Sequence, residues 1–201
     1  MSRKNESITH IIMTAVACND VATVENMCAE APVSSLGSAL RFAVFKRHNL
    51  GIVRALGAEL AQRNCEREFA GALTMALQRN YIEAFDVLME FASPNTNYRE
   101  CLHEAVMCGY TLCVQKILPR CDISSFGQQL LAQASYNKHN AMVDLLYPHC
   151  NAQQALEFLE NEKVANDHKI LLIERMERER LRQTLVDAVE NTTYHSGARK
   201  I

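Results

Sequence analysis

Residues 102–118, Leu102-His103-Glu104-Ala105-Val106-Met107-Cys108-Gly109-Tyr110-Thr111-Leu112-Cys113-Val114-Gln115-Lys116-Ile117-Leu118, decide the fold. Leu102 and Ala105 lie three apart and so share one face of a short helix. The small alanine lets a neighbouring helix come close. After Gly109, the pairs Cys113-Val114 and Ile117-Leu118 form the inward stripe of a second helix running back along the first. One such hairpin cannot bury its apolar side, but a stack of them can.

The same pattern recurs along the chain. A shift of 29 residues back gives Leu73, Ala76-Leu77, Asn80-Tyr81, Ala84-Phe85 and Leu88-Met89. A further 33 gives Leu40, Ala43-Val44, Arg47-His48, Gly51-Ile52 and Ala55-Leu56, and another 28 gives Ile12, Ala15-Val16, Asn19-Asp20, Thr23-Val24 and Met27-Cys28. Moving 29 forward gives Leu131, Ala134-Ser135, Lys138-His139, Met142-Val143 and Leu146-Tyr147. Pro32, Pro94, Pro119 and Pro148 fall at or just past the ends of second helices, where a helix must stop. Val33-Ser34-Ser35-Leu36-Gly37 and Ile123-Ser124-Ser125-Phe126-Gly127 read as one linker design placed before two first helices. Ser125 and Gln128 have the spacing of a capping box.

Composition supports an all-α chain. Of its residues 48% are hydrophobic and 22% charged, and glycine and proline number only seven and four. Helix formers dominate, and alternating β-branched runs are rare. A net charge of −2 supplies no field for nucleic acid or an anionic membrane. Eight cysteines sit mostly inside apolar helical runs, where they act as small hydrophobes. With no secretory signal recognisable, they predict a reducing, cytoplasmic setting.

The stretch from Leu102, with its Leu-His-x-Ala, its Gly109, its Cys113-Val114 and its Ile117-Leu118, resembles the ankyrin repeat. The resemblance covers residues 8–150 and implies a helical-hairpin solenoid: five degenerate repeats over 1–150, capping helices over 151–190 and a flexible tail over 191–201. The copies depart from the family. Only the fourth keeps the histidine and glycine together, none has the Thr-Pro before the leucine, and the short spacings predict plain loops where the family has β-hairpin fingers. Amphipathic helix pairs of a generic helical-repeat protein give a similar pattern. After Cys150, Ala152 to Glu160 reads as one more first helix. Ile170 to Ile173 then opens the charged run Glu174 to Arg182. With Leu181, Leu185 and Val189 this is a long helix carrying one apolar stripe, suited to capping the stack.

Catalytic signatures are lacking. There is no glycine-rich phosphate loop, no Gly-x-Ser-x-Gly elbow and no Cys-x-x-Cys pair. Cys101, His103, Cys108 and Cys113 are the densest cluster of metal-ligand types, but in the repeat register they need not converge. His149-Cys150 are adjacent, a poor arrangement for a nucleophile and its base. The chain is therefore expected not to be an enzyme, and to use no cofactor, metal or small-molecule substrate. It is also expected to bind no nucleic acid and to span no membrane.

What the ankyrin resemblance implies instead is a partner protein held on the concave, first-helix face. The positions it maps to that face include Phe42, Phe45, Lys46, Met75, Gln78, Arg79, Glu104, Met107, Tyr136 and Asn137. Aromatic, methionine and arginine side chains are enriched at interfaces. Phe45 and Tyr136 could equally serve as packing between neighbouring first helices. Divergent ankyrin arrays also occur in proteins that intracellular bacteria deliver into host cells, so an effector is one expectation. A regulatory or targeting part of an enzymatic system is the alternative.

Overall fold

The computed structural model describes Arg3 to Gly197, with side chains from Glu6 to Val189. Among the described residues every regular element is a helix. In chain order they are α1 (Arg3–Ala17), α2 (Val21–Met27), α3 (Val33–Lys46), α4 (Leu50–Gln62), α5 (Glu66–Gln78) and α6 (Ile82–Phe91). Then follow α7 (Arg99–Met107), α8 (Thr111–Ile117), α9 (Gly127–Tyr136), α10 (Asn140–Leu146), α11 (Ala152–Asn161) and α12 (Ile170–Gly197). Two compact units divide the chain: Met1–Cys108 with Lys116–Cys121, and Gly109–Gln115 with Asp122–Ile201.

In the first unit the helices pack neighbour to neighbour in two rows. First helices α1, α3, α5 and α7 form one row, second helices α2, α4 and α6 the other, and each hairpin closes across the rows. In the second unit α9 packs on α10 and α11, and α12 packs on α9, α10 and α11. The repeat register of the sequence is the burial register of the fold. Ile12, Leu40, Leu73, Leu102 and Leu131 are wholly buried, as are Ala43, Ala76, Ala105 and Ala134. Val24, Ile52, Phe85 and Val114 fill the second-helix positions.

What joins each first helix to its second is a left-handed residue. Asn19, Arg47, Asn80, Gly109, Lys138 and Lys163 all have φ between 49° and 75°. The first five reproduce the sequence shifts of 28, 33, 29 and 29 residues. The residue after the left-handed one sends its N–H back to the carbonyl of the repeat alanine: Asp20 to Ala15, His48 to Ala43, Tyr81 to Ala76 and His139 to Ala134, at 2.8 to 3.0 Å. This is a Schellman closure, which glycine usually makes. Here asparagine, arginine and lysine make it, and their side chains are then free to act. Asn19 Oδ1 accepts from Asn49 N at 2.9 Å in the next turn, Arg47 Nη2 donates to Asn80 O at 2.6 Å, and Lys138 Nζ reaches Asp167 at 2.9 Å. Asn64 adds one more left-handed residue between α4 and α5.

Arginines close the ends of second helices. Arg63, just past α4, donates to the carbonyls of Cys28, Ala29 and Ala31 at the end of the preceding hairpin, and its Nε holds Glu59. Arg120 does the same for Met89 O and Ala92 O at 2.9 and 3.2 Å. In the second unit Arg175 of α12 lies over the Tyr147 ring at 4.5 Å and pairs with Asp144.

Three expectations are corrected. Val33–Gly37 is the opening turn of α3 and no linker; Ser35 Oγ meets Thr9 Oγ1 at 2.7 Å between α1 and α3. Ile123–Phe126, by contrast, is a turn ahead of α9. Gly37 and Gly127 nevertheless do one job. A Cβ on Gly37 would collide with the Glu68 carboxylate, and one on Gly127 with Cys150 Sγ. Each glycine admits a side chain from at or near the start of the next first helix. The Ser125 capping box does not form, because α9 starts at Gly127 with Phe126 as an uncapped N-cap and the Gly127 N–H donates to Ile123 O at 2.6 Å. Finally, only the opening turns of α12 pack: Leu172 is buried, whereas Leu181 and Leu185 are each 67% exposed. The helix continues to Gly197, so the expected tail is helical that far; its last residues lie outside the described ones.

Candidate functional site

The candidate partner-binding residues occupy one register. Counting back from each left-handed turn residue, Thr14, Phe42, Met75, Glu104 and Gln133 stand five positions before it. Ala17, Phe45, Gln78, Met107 and Tyr136 stand two before it. These are the C-terminal ends of first helices, and in the first unit α3, α5 and α7 pack side by side.

That packing brings the unit's predicted residues together. The Arg79 guanidinium, just past the end of α5, lies 4.4 Å from the centroid of the Phe45 ring of α3, and Lys46 Nζ lies 5.6 Å from the same ring and 6.0 Å from Phe42. Cation–ring attraction of this kind contributes about 0.5–1 kcal/mol at an exposed site. Phe45 remains 40% exposed and Met107 41%. Gln78 Nε2 donates to Glu104 Oε2 at 3.3 Å, joining α5 to α7, and Cys108 Sγ lies 3.5 Å from the other Glu104 oxygen. Phe42, Met75 and Glu104 are half-buried beneath this edge. Phe45 thus meets the neighbouring repeat through Arg79 and still shows a face to solvent.

Tyr136 and Asn137 belong to the second unit and form a separate group. Tyr136 stacks on the His168 ring with centroids 4.6 Å apart, and His168 Nδ1 lies 2.7 Å from Tyr136 O. Ser135 Oγ donates to His168 O at 2.7 Å. The segment between α11 and α12 thus lies over the end of α9 and takes up one face of Tyr136. Tyr136 also lines a groove of about 340 Å³ between α9 and α11, with Gln133, Phe158 and Val164. Phe158 is 42% exposed. It stands five positions before Lys163, so carrying the repeat register one copy further would have found it. Nothing in the register signals His168, which sits in an insertion.

Three of the thiols are held protonated. Burial pushes the Cys150 thiol up to about 11, and Cys28 is raised for the same reason. Cys108 is raised by partial burial and then by the Glu104 carboxylate beside it. A thiol held protonated is a poor nucleophile at neutral pH. Cys101 and Cys113 are buried while His103 and Cys108 are exposed, and among the described residues no three His, Cys, Asp or Glu side chains gather as metal ligands would. A polar basin of about 850 Å³ beside the start of α5 is lined by Arg41, Glu66, Arg67, Glu68 and Glu100, with Arg41 paired to Glu68. Among the described residues no helix is long and apolar enough to cross a membrane.

No protein-family model, curated protein or solved structure matches this chain.

Proposed function

We propose that the chain is a degenerate ankyrin-type solenoid acting as a protein-binding module, with the C-terminal ends of its first helices as the docking edge. The observation carrying this reading is the Phe45–Arg79 stack with Lys46 beside it. There an aromatic face and two cations remain exposed at an edge formed by three helices. Aromatic and arginine anchors of this kind dominate binding energy at protein interfaces. The ankyrin assignment is supported by the recurring hairpin register, the left-handed residue at the glycine position, and the row-by-row packing within the first unit. Use of buried Cys28, Cys101 and Cys113 as core thiols suits a reducing compartment. Delivery into a host cell is part of the proposal and calls for a translocation assay.

The test is affinity capture from lysate with mass spectrometry, comparing wild type with a folded Phe45→Ala, Met107→Ala variant. A partner retained by wild type and lost by the variant supports the docking edge. A partner held equally by both moves the binding surface elsewhere on the chain.

A further inference from the structure

We infer that the edge around Phe45 is built for an acidic protein segment, one presenting carboxylates beside an apolar side chain; this rests on the binding-module reading above. The first unit pairs four of its cations with its own carboxylates. Arg41 pairs with Glu68, Arg54 with Glu90, Arg63 with Glu59 and Lys116 with Asp86. Lys46 and Arg79 have no carboxylate within ion-pair distance among the described residues, and both are exposed. Arg47 and Arg120 also lack an acid but spend their guanidinium groups on backbone carbonyls, and Arg67 lines the basin with Glu66, Glu68 and Glu100; Lys46 and Arg79 converge instead on Phe45.

Both side chains are exposed. A guanidinium over a ring uses its face for that contact and keeps its five in-plane N–H donors, the fork that matches a carboxylate. Helix C-termini do attract cations through the backbone dipole. That effect accounts for a positive charge at the end of α5, but not for Arg79 lying across the ring of the neighbouring helix. Phe45, itself 40% exposed, and half-buried Phe42 beneath Lys46 supply the apolar patch beside the fork. Glu104 bounds the patch toward α7, where Gln78 holds it. This boundary and the chain's net charge of −2 disfavour a nucleic-acid backbone, which needs a continuous basic track.

The experiment is fluorescence anisotropy on the full chain with three short fluorescein-labelled peptides. One is composed of aspartate, glutamate and leucine, one has lysine and arginine in place of the acids, and one has glutamine. The acidic peptide should bind, lose affinity as salt rises, and weaken by about tenfold or more with Lys46→Glu, Arg79→Glu. Arg79→Lys, which keeps charge and loses the fork, should weaken it by a smaller factor. Circular dichroism establishes that each variant is folded. Equal binding of wild type and the charge-reversed variant, equal binding of the basic peptide, or displacement of the acidic peptide by oligo-dT at equal concentration would overturn the inference, as would no binding at all. If a captured partner depends on Phe45 yet ignores charge reversal, the binding module stands and the acidic ligand falls.

Discussion

Replacing Arg63 with methionine should cost the fold about 3–4 kcal/mol, an effect out of scale for a residue at the end of a helix. The guanidinium stands 2.7 Å from Ala31 O, 3.1 Å from Cys28 O, 2.7 Å from Ala29 O and 2.7 Å from Glu59 Oε1. Its side chain is 26% exposed and that of Glu59 only 14%. A hydrogen bond from a charged donor contributes about 1.5–3 kcal/mol when shielded. The bonds to Ala31 and Cys28 are part-buried and the one to Ala29 is exposed, so we take about 2–3 kcal/mol for the carbonyls together. Stranding Glu59 adds about 1 kcal/mol, less than a fully buried charge would. Methionine keeps most of the aliphatic stem, so packing contributes little to the loss. Urea denaturation followed by circular dichroism measures the total. Adding Glu59→Gln should return about 1 kcal/mol, because it removes the stranded charge. A loss below about 1 kcal/mol, with no relief from the second substitution, would refute the idea that this arginine closes the preceding hairpin.

Lys163 adopts φ 54° before the insertion that leads to α12; Lys163→Gly should raise stability by about 1 kcal/mol, read as a higher urea midpoint. Ala105 is fully buried in α7, so Ala105→Leu should destabilise by about 1–3 kcal/mol through overpacking, and a neutral result would mean the hairpin register is misplaced. Leu181→Glu with Leu185→Glu should leave stability within about 0.5 kcal/mol, because neither side chain is covered; a larger loss would show the stripe is buried after all. Cys150 titrates near 11 in the folded chain and near about 8.5 unfolded, so the native state holds the proton more tightly. Its contribution is complete below about 8.5 and disappears as pH climbs to about 11. Wild type should lose stability relative to Cys150→Ala across that window, and parallel curves would contradict the burial of the thiol.

Helices and core were legible in the sequence because their signal is periodic: Leu40, Leu73, Leu102 and Leu131 recur with their alanines, and all are buried. Turn chemistry was harder to read. Gly109, and asparagine at positions 19 and 80, are residues expected of a left-handed closure, while Arg47 and Lys138 adopt the same backbone with side chains that give no such hint. The sixth hairpin was read only in part, since residues 164–169 separate its turn from α12 and break the spacing. The Ser-Ser pairs misled because identical dipeptides face different neighbours. Ser35 is buried against Thr9, whereas Ser125 lies in an exposed turn. For the site, the register found Phe45 and Arg79 as positions, but not that the cation of one repeat would lie on the ring of another. That is a relation between helices, which no single helix encodes.

The side chains on the left-handed turn residues set a limit on engineering by consensus. Restoring glycine at each hairpin turn would relieve backbone strain position by position, and stabilised repeat designs commonly make such substitutions. In this chain the gain would not be uniform. At Lys163, whose side chain makes no inter-turn bond among the described residues, relief of strain is the whole effect. At Arg47 glycine would also delete the bond to Asn80 O, and at Asn19 the acceptor for Asn49 N. A library that scores turns independently would therefore misrank them, because these side chains supply a link to the next turn as well as the conformation of the present one.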